Sequence, residues 1–149
     1  MDHASYVIIG GGLAAVAAAE TIRRRDKTSR LILVCDEPHP PYDRVPLSKG
    51  YLLGEIEREQ VFLRRPRFYE SNKVELVLGQ AATALDLTTR QVTLADGRQI
   101  GFEKLLLATG GRPRRLPFPA LTSAASITCG ISKTQTPSAR RCKAHGGPW

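Results

Sequence analysis

The sequence predicts an α/β domain: a parallel sheet with a helix packed on it, a small antiparallel meander, and a disordered C-terminal tail. Three observations carry this reading. A short apolar run, "YVII", is stopped by three glycines, and "LAAVAAAETIRRR" after it places apolar residues at helical spacing. The continuous apolar run "LILVC" follows a polar turn, as a strand buried on both faces would. Between residues 81 and 102 the pattern changes to short alternating segments.

The elements follow in order. Tyr6–Ile9 is read as a strand, Leu13–Arg25 as a helix and Leu31–Cys35 as a second strand, which together make a βαβ unit. Arg23, Arg24 and Arg25 fall in the last helical turn, where cations suit the negative end of the helix dipole, and are read as a solvated face. The loop "EPHPPYDRVP" is held out of helix by its prolines until "LSKGYLLG". A short helix is expected at Arg67–Ser71 and a third strand in "VELVLG". "ATALDL" and "RQVTLADGRQI" form the meander, with Asp96-Gly97 as its hairpin turn. "KLLLATG" returns to a buried strand that ends in Thr109-Gly110, and after "GRPRRLPFP" the periodicity stops.

At 149 residues the chain has the size of one domain, enough to bury about 70% of its unfolded surface. The net charge of +8 is concentrated at one end, since seven of the 22 Lys and Arg residues lie after Gly111 with no acidic residue among them. The body, with 15 basic and 14 acidic residues, is nearly neutral. Its charge does not call for a nucleic-acid or membrane partner, and the basic tail has no recognisable nucleic-acid-binding fold. No leader-like segment and no apolar run of membrane-spanning length is seen. Cys35, Cys129 and Cys142 make no CxxC pair, so no metal site or redox disulfide is indicated and a reducing cytoplasm is expected.

Gly10, Gly12 and Ala15, with Gly11, Leu13 and Ala14 between them, fit G-x-G-x-x-G/A, and the fingerprint has a strand before it and a helix after. Gly10 allows a tight turn, Gly12 lets the backbone approach a pyrophosphate, and Ala15 keeps helix and strand close. The phosphates would sit on free amides at the positive end of the helix. Asp36, 21 residues past Ala15, is placed to accept from the adenosine ribose hydroxyls, with Glu37 as the alternative. The pattern defines a Rossmann-like dinucleotide site and does not separate FAD from NAD. The plainer reading of the glycines is a sharp turn alone.

"PPYDRVPLSKGYLLGE", followed by "LLLATGGRPRRLP", resembles the FAD-dependent reductases that serve ferredoxins, rubredoxins and putidaredoxin, and their relative apoptosis-inducing factor. The likeness runs from about Tyr6 to Leu116, with every segment in order. It implies that FAD is the cofactor and that the parent activity is NAD(P)H oxidation with electrons passed to an iron–sulfur protein. It also implies contacts to FAD from Asp36 and Glu37 at the ribose, Arg44 and Lys49 from the Pro-rich loop, Ala82 at adenine, and Thr109, Gly110 and Arg114 around the "ATG" turn. Cationic Arg44, Lys49 and Arg114 would balance a dianionic pyrophosphate and a reduced flavin. The plainer reading makes Arg44 and Arg114 surface loop cations and Lys49 a solvated helix residue. Val45 departs from the family's second proline, and "YDRVPLSK" lacks the cysteine pair of the related disulfide reductases. No side chain is assigned a catalytic role.

The last stretch reads unlike the rest. Written as permitted codons and read one nucleotide earlier, Thr122 to Trp149 allows "DLSGVHYLRNLEDADALRAALQGARRAV", a segment like the one that follows "LP" in that family. Residues 1–119 are therefore expected to be the N-terminal part of an incomplete Rossmann-like FAD-binding domain, and 120–149 an out-of-frame, disordered tail. The expected function is the FAD-binding part of a flavin-dependent NAD(P)H oxidoreductase, inactive alone. The alternative is a stand-alone dinucleotide-binding module without catalysis.

Overall fold

The structure, a computed structural model, describes residues 2–111; Arg114 and the expected tail lie outside them. Two compact units divide these residues, one holding residues up to Tyr42 together with Phe62–Gly110, the other holding Asp43–Val61.

The first unit is built on a six-stranded sheet. Its elements are β1 (Asp2–Ile9), α1 (Leu13–Arg25), β2 (Leu31–Val34), α3 (Pro66–Ser71), β3 (Val74–Val77), β4 (Ala82–Asp86), β5 (Gln91–Leu94) and β6 (Gln99–Leu107), with α2 (Gly50–Leu53) in the other unit. The strand order is β3-β2-β1-β6-β5-β4. Four strands are parallel: β1 pairs β2 from Tyr6↔Leu31 to Ile9↔Val34, β2 pairs β3, and β1 pairs β6. The β4-β5-β6 run is antiparallel, with Asp96-Gly97 at the turn as expected; Gly97 has φ +85° and Leu94 N–H closes on Arg98 O at 2.8 Å.

Strand alternation sorts the core onto two faces. Ile8, Leu31, Leu33 and Cys35 point to the side covered by Ala15 and Ala19 of α1 and Tyr69 of α3. Val7, Ile9, Ile32 and Val34 gather on the other with Val92, Leu94, Ile100 and Phe102 of the meander. Each fully buried Ile, Leu or Val side chain contributes roughly 1.5–3 kcal/mol, and Val7, Ile8 and Leu31–Val34 supply a large share of them.

Three findings differ from expectation. β1 begins at Asp2, four residues early, because β6 pairs its polar start through Asp2↔Ile100, His3↔Gly101 and Ala4↔Phe102. The last arm of the meander and the strand expected in "KLLLATG" are one continuous strand, β6, whose end is not buried: Leu106 is 40% and Leu107 60% exposed. The cause is that β5 pairs β6 only over Gln99–Gly101, and among the described residues no strand takes the same edge beyond.

The third concerns Arg23, which is 5% exposed rather than solvated. Its guanidinium donates to the carbonyls of Asp26 (3.1 Å), Ser29 (2.8 Å) and Lys73 (2.7 Å). It thus ties the end of α1, the turn into β2 and the turn from α3 into β3. Arg24 and Arg25 are exposed as expected.

In the second unit, Val45–Ser48 forms a 3-10 turn, α2 follows, and Arg58–Val61 forms another 3-10 turn. Asp43 Oδ1 accepts from Val45 N–H at 3.0 Å, a local turn that sets the path of the chain through Arg44.

Candidate dinucleotide site

The site gathers at the carboxyl ends of the parallel strands, where β2 lies on one side of β1 and β6 on the other. Such a reversal of strand order opens a crevice for ligands in α/β sheets. The sequence places its fingerprint there.

Gly10 turns the chain out of β1 at φ +136°, with its N–H donating to Val34 O at 2.8 Å. A Cβ at this position would stand 2.1 Å from Ala108 O, so no other residue fits. Ala108 N–H in turn donates to Ile9 O at 2.8 Å, which locks the ends of β1 and β6 together. At Gly11 a Cβ would meet Cys35 Sγ at 3.1 Å. Gly12 is different, because among the described residues nothing lies within 4 Å of where its Cβ would be. None of them closes over its backbone on that side.

Gly12 is also the N-cap of α1, with no side-chain cap. The first helical bond runs from Val16 N–H to Gly12 O at 3.2 Å, so the amides of Leu13, Ala14 and Ala15 stand at the positive end of the helix. Ala15 is fully buried against the sheet, while Leu13 and Ala14 are exposed. The helix thereby packs close while its first turn stays open to a ligand.

At the end of β2, Asp36 is exposed and Glu37 half-buried, its Oε2 accepting from the Tyr42 hydroxyl at 2.7 Å. The link from β3 to β4 is bonded onto this corner: Gly79 N–H donates to Glu37 O at 2.9 Å and Gln80 N–H to Cys35 O at 3.0 Å. Ala82 opens β4 opposite Leu94, where the ladder slips in a bulge before Ala84. Bulges of this kind re-aim the backbone beside sites. Thr109 and Gly110, exposed, follow Ala108 out of β6.

Burial, with the charges of Asp36 and Glu37 beside it, pushes the Cys35 thiol up to about 12. It stays protonated and is no nucleophile near neutrality. Among the described residues, no group of His, Cys, Asp or Glu is arranged to hold a metal ion.

The structure therefore brings together Gly10, Gly11, Gly12, Leu13, Ala14, Ala15, Asp36, Glu37, Thr109 and Gly110 around one corner, with Ala82 on the strand whose lead-in is bonded to it. Arg44 and Lys49 are exposed residues of the second unit, and Arg114 lies outside the described residues. Sequence reasoning missed Tyr42, Cys35 and Ala108. Only the tyrosine of "PPY" had a signal of its own, an aromatic residue with a polar tip in a proline-rich loop.

Fold and site define an α/β dinucleotide-binding protein. The chain matches the family described as Pyridine nucleotide-disulphide oxidoreductase over residues 4–144, and it belongs to that family. It is 39% identical over 115 residues to rhodocoxin reductase of Rhodococcus erythropolis and 41% identical over 113 residues to putidaredoxin reductase CamA of Pseudomonas putida. These alignments cover 77% and 76% of the chain and 27% of each relative, so the chain spans about a quarter of their length.

Solved structures agree. The putidaredoxin reductase–putidaredoxin covalent complex superposes with a TM-score of 0.82 at 34% identity, covering 94% of this chain and 34% of that one. The ferredoxin reductase for the CYP199A2 system from Rhodopseudomonas palustris gives 0.87 at 29% identity, covering 94% and 35%. The chain thus resembles the FAD-binding region of ferredoxin reductases, a family of flavoproteins.

Proposed function

We propose that this chain forms the FAD-binding part of a flavin-dependent NAD(P)H oxidoreductase that passes electrons to a ferredoxin- or rubredoxin-like acceptor. The observation that carries it is the contrast among the glycines: Gly10 and Gly11 are closed against Ala108 and Cys35, whereas Gly12, at the positive end of α1, is met by no other described residue. A glycine serving only a turn has no need of that opening. Bound FAD would supply hydride acceptance followed by single-electron delivery.

The chain's own residues have simpler tasks. The amides from Gly12 to Ala15 would hold the pyrophosphate, with helix dipole and hydrogen bonds acting on the same charge. Asp36, exposed at the end of β2, would accept from the ribose hydroxyls, and the backbone around Ala82 would border the adenine. Arg44, Lys49 and Arg114 would add compensating charge toward the cofactor. Cys35 takes no part in electron transfer, since its thiol is held protonated and buried.

The 149 residues contain one dinucleotide fingerprint, and FAD would use it. These 149 residues by themselves would then oxidise NAD(P)H poorly, because they hold no second fingerprint to present the hydride donor to the flavin. The reading also places the protein in the cytoplasm; no described helix is long and apolar enough to cross a membrane.

Residues 120–149 we read as an out-of-frame product, on the strength of the shifted codon string. The family match reaches residue 144, whereas the alignments with the two relatives cover 113 to 115 residues. The nucleotide sequence decides: codons whose shifted reading encodes no such segment end this proposal.

The test of function is spectroscopic. Purified protein titrated with FAD should show quenching of flavin fluorescence and a shifted flavin absorbance band, with negligible NAD(P)H oxidation. Failure to take up FAD or ADP overturns the binding reading. Brisk NADH oxidation by the chain alone would overturn the dependence on further parts.

A further inference from the structure

We propose that Tyr42 is a positioning residue for the adenosine end of the cofactor: its hydroxyl holds Glu37 aside so that Asp36 is the carboxylate offered to the ribose. This inference rests on the FAD-binding reading above.

The corner after β2 carries two adjacent carboxylates, and either has the chemistry to accept from ribose hydroxyls. Their surroundings separate them. Glu37 is anchored twice, through Oε2 by the Tyr42 hydroxyl at 2.7 Å and through its main-chain oxygen by Gly79 N–H at 2.9 Å. Asp36 is exposed, and no hydrogen bond to another described residue holds its side chain. Cys35 before it is fixed by Val77 O at 2.8 Å and Gln80 N–H at 3.0 Å. The Asp36 backbone is therefore flanked by two immobilised neighbours while its carboxylate remains available.

Tyr42 is well placed to impose this. It is 5% exposed, and a buried tyrosine hydroxyl needs a partner. Its backbone makes an antiparallel bridge with Phe62, and Leu63 N–H donates to Pro41 O at 3.0 Å, so the two ends of the excursion through residues 43–61 are clasped at Tyr42. The clasp fixes the Tyr42 backbone, and burial of the ring holds its hydroxyl toward Glu37. A charge-assisted hydrogen bond from a fixed ring is a strong constraint on the glutamate, and an acceptor fixed before the ligand arrives spares the ordering cost on binding.

The experiment uses the full chain and measures ADP and FAD dissociation constants by calorimetry and flavin fluorescence, with thermal unfolding recorded for every variant. Tyr42→Phe, which removes only the hydroxyl, is expected to weaken both ligands about 3- to 10-fold. Glu37→Ala should weaken them similarly, and the double variant no further than either single change. Glu37→Gln, whose amide oxygen still accepts from the phenol, should cost less than Glu37→Ala. Asp36→Asn should cost more than 10-fold in every background.

Each alternative result overturns something identifiable. Full affinity in Tyr42→Phe, or strict additivity of Tyr42→Phe and Glu37→Ala, removes the positioning role. A loss in Glu37→Gln as large as in Asp36→Asn makes Glu37 the ribose contact instead. A wild-type chain that binds neither ADP nor FAD sinks the underlying reading, and the positioning role with it.

Discussion

Gly10 and Ala108 meet where β1 and β6 end, with the Ala108 carbonyl 2.1 Å from the point a Gly10 Cβ would occupy. The contact is backbone against α-carbon, so no side chain can swing away to relieve a substitution. Gly10 also sits at φ +136°, outside the range open to L side chains. Gly10→Ala is therefore expected to destabilise the fold by about 3 kcal/mol or more, seen as a depressed thermal midpoint or loss of soluble protein.

Gly12→Ala should behave in the opposite way. Its φ of −102° suits any residue and its Cβ would meet no described residue within 4 Å, so the fold should lose only about 1 kcal/mol, the usual advantage of Gly over Ala at an N-cap. That space is where the pyrophosphate is proposed to lie, and a methyl there should weaken FAD binding about 10- to 100-fold, on the order of 1.4–2.7 kcal/mol. The pair is checked by melting curves and FAD titration side by side. Equal damage to both properties in both variants would mean that the glycines serve the turn alone.

The same residues show how far the sequence could be read. α1 was legible to its ends, Leu13 and Arg25, because glycines precede it and its apolar face keeps one period until Asp26. The hairpin at Asp96-Gly97 was legible because only a few residue pairs suit its backbone. What escaped was set by contacts between distant parts of the chain. Arg23 looks like any arginine in a last helical turn until Lys73, fifty residues on, brings a carbonyl to it. Asp2 and His3 look unsuited to a strand until β6 pairs them. Cys35 gave no sign of lying under Gly11, since that contact depends on how β2 ends beside the turn.

Arg23 yields the next expectation. Its guanidinium joins three backbone carbonyls in a nearly closed site and, among the described residues, has no carboxylate partner. Arg23→Ala leaves those carbonyls without donors, which should cost about 2–4 kcal/mol. Arg23→Lys, with one charged head for three acceptors, should recover part of it. Chemical denaturation measures both. Because Arg23 lies at the far end of α1 from Gly12, FAD affinity of the folded fraction should be little changed.

Cys35 links the buried face of the site to pH. Its thiol, ordinarily near 9.0, is pushed up to about 12 by burial and then by the charges of Asp36 and Glu37. The folded state therefore holds this proton more tightly than the unfolded state does. The stability it contributes is complete below the unfolded value and is lost as pH rises through the window from 9.0 to about 12, by up to roughly 1.4 kcal/mol per pH unit. Tyr69, also raised to about 12, adds to the loss at the upper end of that window. Cys35→Ala should flatten the first part of the decline, and denaturation midpoints between pH 8 and 11 would reveal it. At pH 8 the folded protein should also protect Cys35 from iodoacetamide, with modification following unfolding. Rapid alkylation of Cys35 in the native state would show that the thiol is not sealed beneath Gly11.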